Sequence, residues 1–229
     1  MVKNDRATAK GEQTRKEILK SALTLFRKQG FDATTMQEIA RHAELVKSAA
    51  YYYFPSKEAI IQAYYEMVQA EQERLCEDVF AQSKDLKTRL SVALKSKLDL
   101  ANDDRRLLGV VFRYTGEPEH PLSCLGQGTS DMRRRGMQVF RDAIAVEKLP
   151  KDLRELLPLS LWALQMGLLV MFLYDSSENQ QRTRRLADGA LALILKLLGL
   201  AKLAVLRPIR MKILDLLREA DLLPEPESV

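Results

Sequence analysis

Cysteine, histidine, glycine and proline are all scarce in this chain, and each scarcity removes a class of protein. Only two cysteines occur in 229 residues, Cys76 and Cys124, and neither lies in a CxxC pair. A disulfide scaffold and a cysteine zinc site are therefore both unsupported. The two histidines, His42 and His120, are far apart, and a satisfied or exposed imidazole suits each better than a metal ligand. There is no His-rich metal spacing, no phosphate-binding glycine loop after a strand and no nucleophile elbow; Gly126-Gln127-Gly128 is too short to be one. No catalytic residue, cofactor or metal is expected, and the chain does not read as an enzyme. The first ten residues, MVKNDRATAK, contain no apolar run able to serve as the core of a secretion signal. A cytoplasmic protein with reduced thiols is expected.

With ten glycines and eight prolines there is little to interrupt helices, and the apolar positions recur at three and four rather than at two. No strand is predicted. Thr14 and Glu17 have capping-box spacing, followed by Ile18, Leu19, Ala22, Leu25 and Phe26 on one face, so a first helix is predicted from Thr14 to Gly30. The pattern repeats at Thr35 and Glu38 for a short second helix, and a third runs from about Val46 to Phe54. Ser56 is placed to cap a long fourth helix. Later breaks fall near Ser83, near Asn102-Asp103, across Thr115 to Gly128, near Pro150 and at Ser176-Ser177. A last amphipathic helix is expected from Ile209 to Leu223, then a disordered tail at 224–229.

The net charge of +5 is unevenly spread. Residues 1–60 carry 11 Lys and Arg against 7 Asp and Glu, whereas 61–229 carry 25 against 24. A small cationic module suits a phosphate backbone, although solubility alone could account for it. Two short helices separated by a tight turn and braced by a first helix form a unit whose third helix can lie in the major groove. Here Ile39, Ala40, Ala43 and Leu45 supply apolar contacts between helices, and Lys47, Ser48, Tyr51, Tyr52 and Tyr53 supply groups for bases and phosphates.

The stretch TRKEILKSALTLFRKQGFDATTMQEIARHAELVKSAAYYYFPSKEAI, Thr14 to Ile60, resembles the N-terminal signature of the tetracycline-repressor (TetR) family. The agreement includes Leu25-Phe26, Gly30-Phe31, Thr34-Thr35-Met36, Ile39-Ala40, Tyr51-Tyr52-Tyr53-Phe54 and Ser56-Lys57-Glu58. The resemblance implies that Thr35 and Gln37 approach the DNA backbone, that Lys47, Ser48 and Ala49 face base edges, and that Tyr51, Tyr53 and Lys57 meet phosphates. It implies an all-α fold: a three-helix helix-turn-helix module at 1–60, joined by a long helix to a helical-bundle ligand-sensing and dimerisation domain at 61–223. The function implied is a sequence-specific DNA-binding regulator, a repressor released from its operator by a small-molecule effector. The alternative is a DNA-binding adaptor or activator whose body recruits a protein partner. The chain departs from the family pattern where its third helix begins: Glu44, Val46 and Ala50 stand where the family favours Gly, Ser and Leu. A non-glycine residue in a left-handed turn costs roughly 1–2 kcal/mol, and a lost Ser cap ~1 kcal/mol.

In the body, Leu156 to Tyr174 holds no charge, which is long enough for a membrane span. Pro158, Ser160, Gln165 and Gly167 within the run favour instead a helix buried by its own subunit on one side and a partner on the other. Further on, Leu186, Ala187, Ala190, Leu191, Ile194, Leu197 and Leu198 form a stripe at helical spacing. Ala187, Ala190, Leu191, Ile194 and Leu198 are the candidates for a homodimer interface, a four-helix arrangement that the resemblance also implies. A two-fold dimer predicts a roughly palindromic operator in double-stranded DNA. Phe112, Trp162, Gln165 and Met166 are candidate pocket-wall residues or ordinary core. Gln165 is the most telling, since an amide in a charge-free helix needs either a ligand or a polar neighbour. The run Arg133-Arg134-Arg135 reads as a solvated helix face before it reads as an anion site.

Overall fold

The structure is a computed structural model describing residues 2–223; the expected disordered tail, 224–229, lies outside the described residues. Among them there are ten α-helices, several short 3-10 turns and no strand. The helices are α1 (Val2–Gln29), α2 (Met36–His42), α3 (Lys47–Tyr53), α4 (Lys57–Gln82), α5 (Leu86–Leu100), α6 (Arg105–Arg113), α7 (Ser130–Ile144), α8 (Lys151–Tyr174), α9 (Gln181–Ala201) and α10 (Arg207–Glu219). The all-α reading holds. Two compact units are present: one is the chain up to Glu71 with Leu100–Arg133, the other Gln72–Asp99 with the chain from Arg134 onward.

In the first unit, Ile18, Ala22 and Phe26 of α1 are buried against Ile39 and Ala40 of α2, Ala50 of α3 and Ile60 and Ile61 of α4. Leu107 and Val110 of α6 close the same core. The expected start of α1 at Thr14 is corrected: the helix is already running there, and the Thr14 hydroxyl donates to the Lys10 carbonyl at 2.9 Å. That is the back-bond of a mid-helix threonine and no cap. Gly30 ends α1 as expected, with φ 91° and its N–H donating to the Phe26 carbonyl. Three polar ties add to the apolar core. Arg27 of α1 forks onto Asp104, which also accepts from the Tyr64 hydroxyl of α4 at 2.7 Å; Arg113 of α6 forks onto Asp32; and Gln62 donates to the Pro121 carbonyl.

The second unit packs the later part of α4 with α5, α7, α8, α9 and α10. Its core includes Leu90, Leu94, Phe140, Leu161, Leu168 and Phe172. Asp175 accepts from the backbone N–H and hydroxyl of both Ser177 and Thr183, which caps α9 and holds its carboxyl well below the usual range. Arg210 of α10 is buried on Asp152 of α8 at 2.8 Å and also donates to the carbonyls of Ala201, the last residue of α9, and Leu203 just past it. The final helix ends at Glu219 rather than Leu223. Pro158 lies within α8 and is buried.

Candidate nucleic-acid interface

The α2–turn–α3 segment is fixed by caps that the sequence spells out. Thr35 accepts from the Glu38 N–H at 3.2 Å while Glu38 accepts from the Thr35 N–H at 2.8 Å, a complete capping box. The Thr35 hydroxyl and backbone N–H hold the Glu38 carboxyl below its usual range. At the other end, the Leu45 N–H donates to the Ala40 carbonyl and the Glu44 N–H to the Arg41 carbonyl. This is the pair of bonds of a helix stop that calls for a left-handed residue, and Glu44 takes that conformation at φ 58°. Val46, at the N-cap of α3, offers no side-chain bond and is 70% exposed. Two of the three departures from the family pattern therefore have the structural expression their chemistry implies, and the third, Ala50, is buried in the core of the first unit. Replacing Glu44 by glycine is expected to stabilise the chain by about 1 kcal/mol, raising the thermal midpoint by roughly 2–4 °C. An unchanged midpoint in differential scanning calorimetry would show that the turn carries no strain.

Around this turn Gln37 and Arg41 of α2 and Lys47 of α3 line an open cleft of about 490 Å³ with Thr35, Glu38, Ala40 and Leu45. Gln37, Lys47, Ser48 and Tyr51 are exposed, and the Lys47 ammonium sits 5.7 Å from the centre of the Tyr51 ring. Ala49 is half-buried. Arg41 was not among the sequence-derived candidates, although it follows Gln37 by one turn and so shares its face. Thr35, Lys57 and Tyr53 also bond or pack within the module. The Thr35 hydroxyl belongs to the capping box. The Lys57 ammonium donates to the Phe31 carbonyl at 2.7 Å and the Asp32 carbonyl at 3.3 Å, and lies over the Phe31 ring. Tyr53 is half-buried, meets Tyr52 edge to face, and sets its hydroxyl against α1 at Gly11.

In the body, Trp162 and Gln165 are buried in the second unit, Met166 is half-buried there, and Phe112 is half-buried in the first unit. Gln165 has a neighbouring polar partner: its amide nitrogen donates to the Ala93 carbonyl at 2.6 Å. Of the dimer candidates on α9, Ala187, Leu191 and Leu198 are buried within the single chain, and Ala190 and Ile194 are half-buried. The exposed apolar residues of α9 include Leu186, Leu193, Leu197 and Leu200. α8 is, among the described residues, the one single helix long and apolar enough to cross a membrane. Its exposed side carries Ser160, Ala163, Gly167, Met171 and Tyr174. The Arg133–Arg135 run is not a free solvated face, since Arg135 forks onto Glu73 and Arg133 donates to the Cys124 carbonyl.

A third helix that exposes Lys47, Ser48 and Tyr51 on a braced helix-turn-helix, in a chain otherwise helical among the described residues, is the build of a DNA-binding transcriptional regulator. Residues 18–64 match the family described as bacterial regulatory proteins, tetR family, and residues 89–213 match the tetracyclin repressor-like C-terminal domain. The chain belongs to the TetR family, a class of regulators rather than enzymes. It is 44% identical over 50 residues to YuxN of Bacillus subtilis (strain 168), an uncharacterized HTH-type transcriptional regulator, covering 22% of this chain and 17% of that protein. It is 41% identical over 44 residues to IcaR of Staphylococcus aureus (strain Newman), a negative transcriptional regulator of the biofilm operon icaADBC, covering 19% of this chain and 24% of that one. The chain thus spans under a quarter of the length of these curated relatives. Among solved structures it is similar to FadR of Thermus thermophilus, a TetR-family repressor in complex with lauroyl-CoA, with TM-score 0.54 and 20% identity over 76% of this chain and 92% of that one. It is likewise similar to NalD of Pseudomonas aeruginosa, the secondary repressor of the MexAB-OprM multidrug efflux pump, with TM-score 0.54 and 22% identity over 78% of this chain and 95% of that one. At such identities the likeness shows the fold.

Proposed function

We propose that the chain is a cytoplasmic, sequence-specific repressor that binds a roughly palindromic operator as a homodimer and leaves it when a small molecule binds its body. The observation that carries this reading is the open face where Gln37, Arg41 and Lys47 line one cleft and Ser48 and Tyr51 stand exposed on the same short α3. Side chains of this kind meet phosphates and base edges, and only the base-facing ones carry sequence information. The module through residue 60 serves DNA, and residues 61–223 serve sensing and dimerisation. A second copy is the natural cover for the apolar faces of α8 and α9. Small Ala163 and Gly167 permit close approach, and Leu186, Leu193, Leu197 and Leu200 supply area. FadR and NalD are both named repressors, and FadR holds lauroyl-CoA, which supports repression and ligand binding as the reading for this chain.

Selection of genomic fragments by the purified protein at two salt concentrations, followed by footprinting, tests the reading. A salt-sensitive inverted repeat is the expected product. Lys47→Ala is expected to weaken operator binding by on the order of tenfold and to lower the salt slope by about one. Full operator affinity in Lys47→Ala and Tyr51→Ala would sink the recognition-helix assignment.

A further inference from the structure

Of the three departures from the family pattern, Val46 sets an apolar side chain in the open where its neighbours are polar. It is 70% exposed, and Leu45 before it and Lys47 after it both line the cleft shared with Gln37 and Arg41. Ala49 is half-buried and Ala50 buried, so α3 turns those two toward the module and leaves Lys47, Ser48, Tyr51 and Tyr52 outward. Among the exposed residues within 44–52, Val46 alone has a side chain with no polar atom. Its backbone is held, because the Val46 carbonyl accepts from the Ala49 N–H at 3.0 Å and the Ala50 N–H at 3.4 Å. A β-branched side chain has one stiff torsion, so little freedom is lost when it is packed.

The major groove narrows what such a group can meet. Base edges there display ring nitrogens, carbonyl oxygens and amino groups, all hydrated, and one apolar group, the C5-methyl of thymine. An isopropyl group set against a polar edge strips its water and returns no hydrogen bond, which is a penalty. Set against the methyl, it releases water from both surfaces. A serine, which the family pattern favours at this position, has a hydroxyl able to cap the helix or to serve several base edges. Val46 makes no side-chain bond and has neither option.

We propose that Val46 is a specificity-determining residue: its isopropyl group packs on the C5-methyl of one thymine in each half of the operator. Val46 takes this role only if α3 enters the major groove, as the repressor reading has it. Lys47, Ser48 and Tyr51 then supply the polar contacts, and Val46 rejects a base that presents a polar edge at its own position.

The full chain is used to select binders from a library of duplexes with a randomised central segment. Each thymine of the recovered inverted repeat is then replaced in turn, in both halves, by deoxyuridine, which deletes the methyl and keeps the base pair and its hydrogen-bonding groups. At one symmetric pair of positions affinity is expected to fall by about fifteenfold, or about fourfold for each methyl. In Val46→Ser the same exchange should leave affinity unchanged, whereas exchanges at other thymines keep the effect they have with the parent chain. Val46→Ala, which gives up most of the contact without adding a hydroxyl, serves the same purpose if Val46→Ser does not fold. A recovered site without thymine, deoxyuridine that costs nothing at any position, or a loss that persists undiminished in the variants would overturn the role of Val46 and leave the repressor reading standing. Recovery of no specific site would overturn the repressor reading and the role of Val46 with it.

Discussion

Arg89→Met is expected to cost about 3–4 kcal/mol of stability, one of the largest effects available from a single substitution in this chain. Arg89 lies on α5 and is 8% exposed. Its guanidinium donates to four backbone carbonyls: Phe80 at 3.0 Å, Ser83 at 3.1 Å, Asp142 at 2.7 Å and Ala143 at 3.2 Å. The first two belong to the end of α4 and the last two to the end of α7, so one cation closes two helix C-termini, where the last carbonyls have no i+4 donor and only Asp142 has another backbone partner, the Ala145 N–H. The negative ends of the two helix dipoles take the place of a carboxylate, and the Phe80 ring lies 4.2 Å beneath the guanidinium. Methionine keeps the stem and leaves the carbonyls orphaned. Lysine restores the charge but not the fork, and should recover less than half of the loss. Urea unfolding, with the slope checked for constancy, measures this; a midpoint shift worth under about 1 kcal/mol would mean that water replaces the guanidinium.

Features that depend on neighbours within a helical turn or two were legible in the sequence. The Thr35–Glu38 capping box, the Gly30 stop and the breaks near Ser83 and Pro150 all appear where their residue types place them. Ser56, expected to cap α4, does accept from the Ala59 N–H. The strain at Glu44 and the missing cap at Val46 were likewise readable, because both follow from what a side chain can do at a fixed backbone position. Thr14 shows the limit of that logic. The spacing of a capping box is the same whether or not the chain upstream is helical, and here it is. Side chains that choose between a partner molecule and their own chain were not legible. Nothing in the sequence ties Lys57 to the carbonyls of Phe31 and Asp32, 26 and 25 positions away. α9 is apolar on two faces, and periodicity cannot say which one meets its own core; Ala187, Leu191 and Leu198 are the ones buried there. Arg41 was not singled out although Gln37, one turn before it on α2, was; the cleft is shared by both helices.

The acid side of the stability curve should be governed in part by Asp104, and Asp104→Asn is expected to remove that dependence at a cost of about 2–3 kcal/mol at neutral pH. The carboxylate is 7% exposed in the turn between α5 and α6. Burial alone would push its pKa up, but the Arg27 fork at 2.6 and 2.8 Å and the Tyr64 hydroxyl at 2.7 Å outweigh burial and hold it below the ordinary value. Burial first, and then the bond to Asp104, push the Tyr64 phenol far up against the opposing pull of Arg27. Because the folded pKa lies below that of the unfolded chain, the contribution is complete above about pH 4 and is lost as pH falls through the folded value. Asparagine presents an NH2 where one of the donors now points, leaving Arg27 or Tyr64 without its acceptor. Arg27 is half exposed and can turn to water, which keeps the cost below that of a fully buried pair. Tyr64→Phe removes one bond and spares the fork, so about 1 kcal/mol is expected. Unfolding of the three proteins at pH 7 and pH 3 checks the argument: the gap between the parent and Asp104→Asn should narrow at the lower pH. A gap that stays constant would show that the substitution acts through packing and not through the charge.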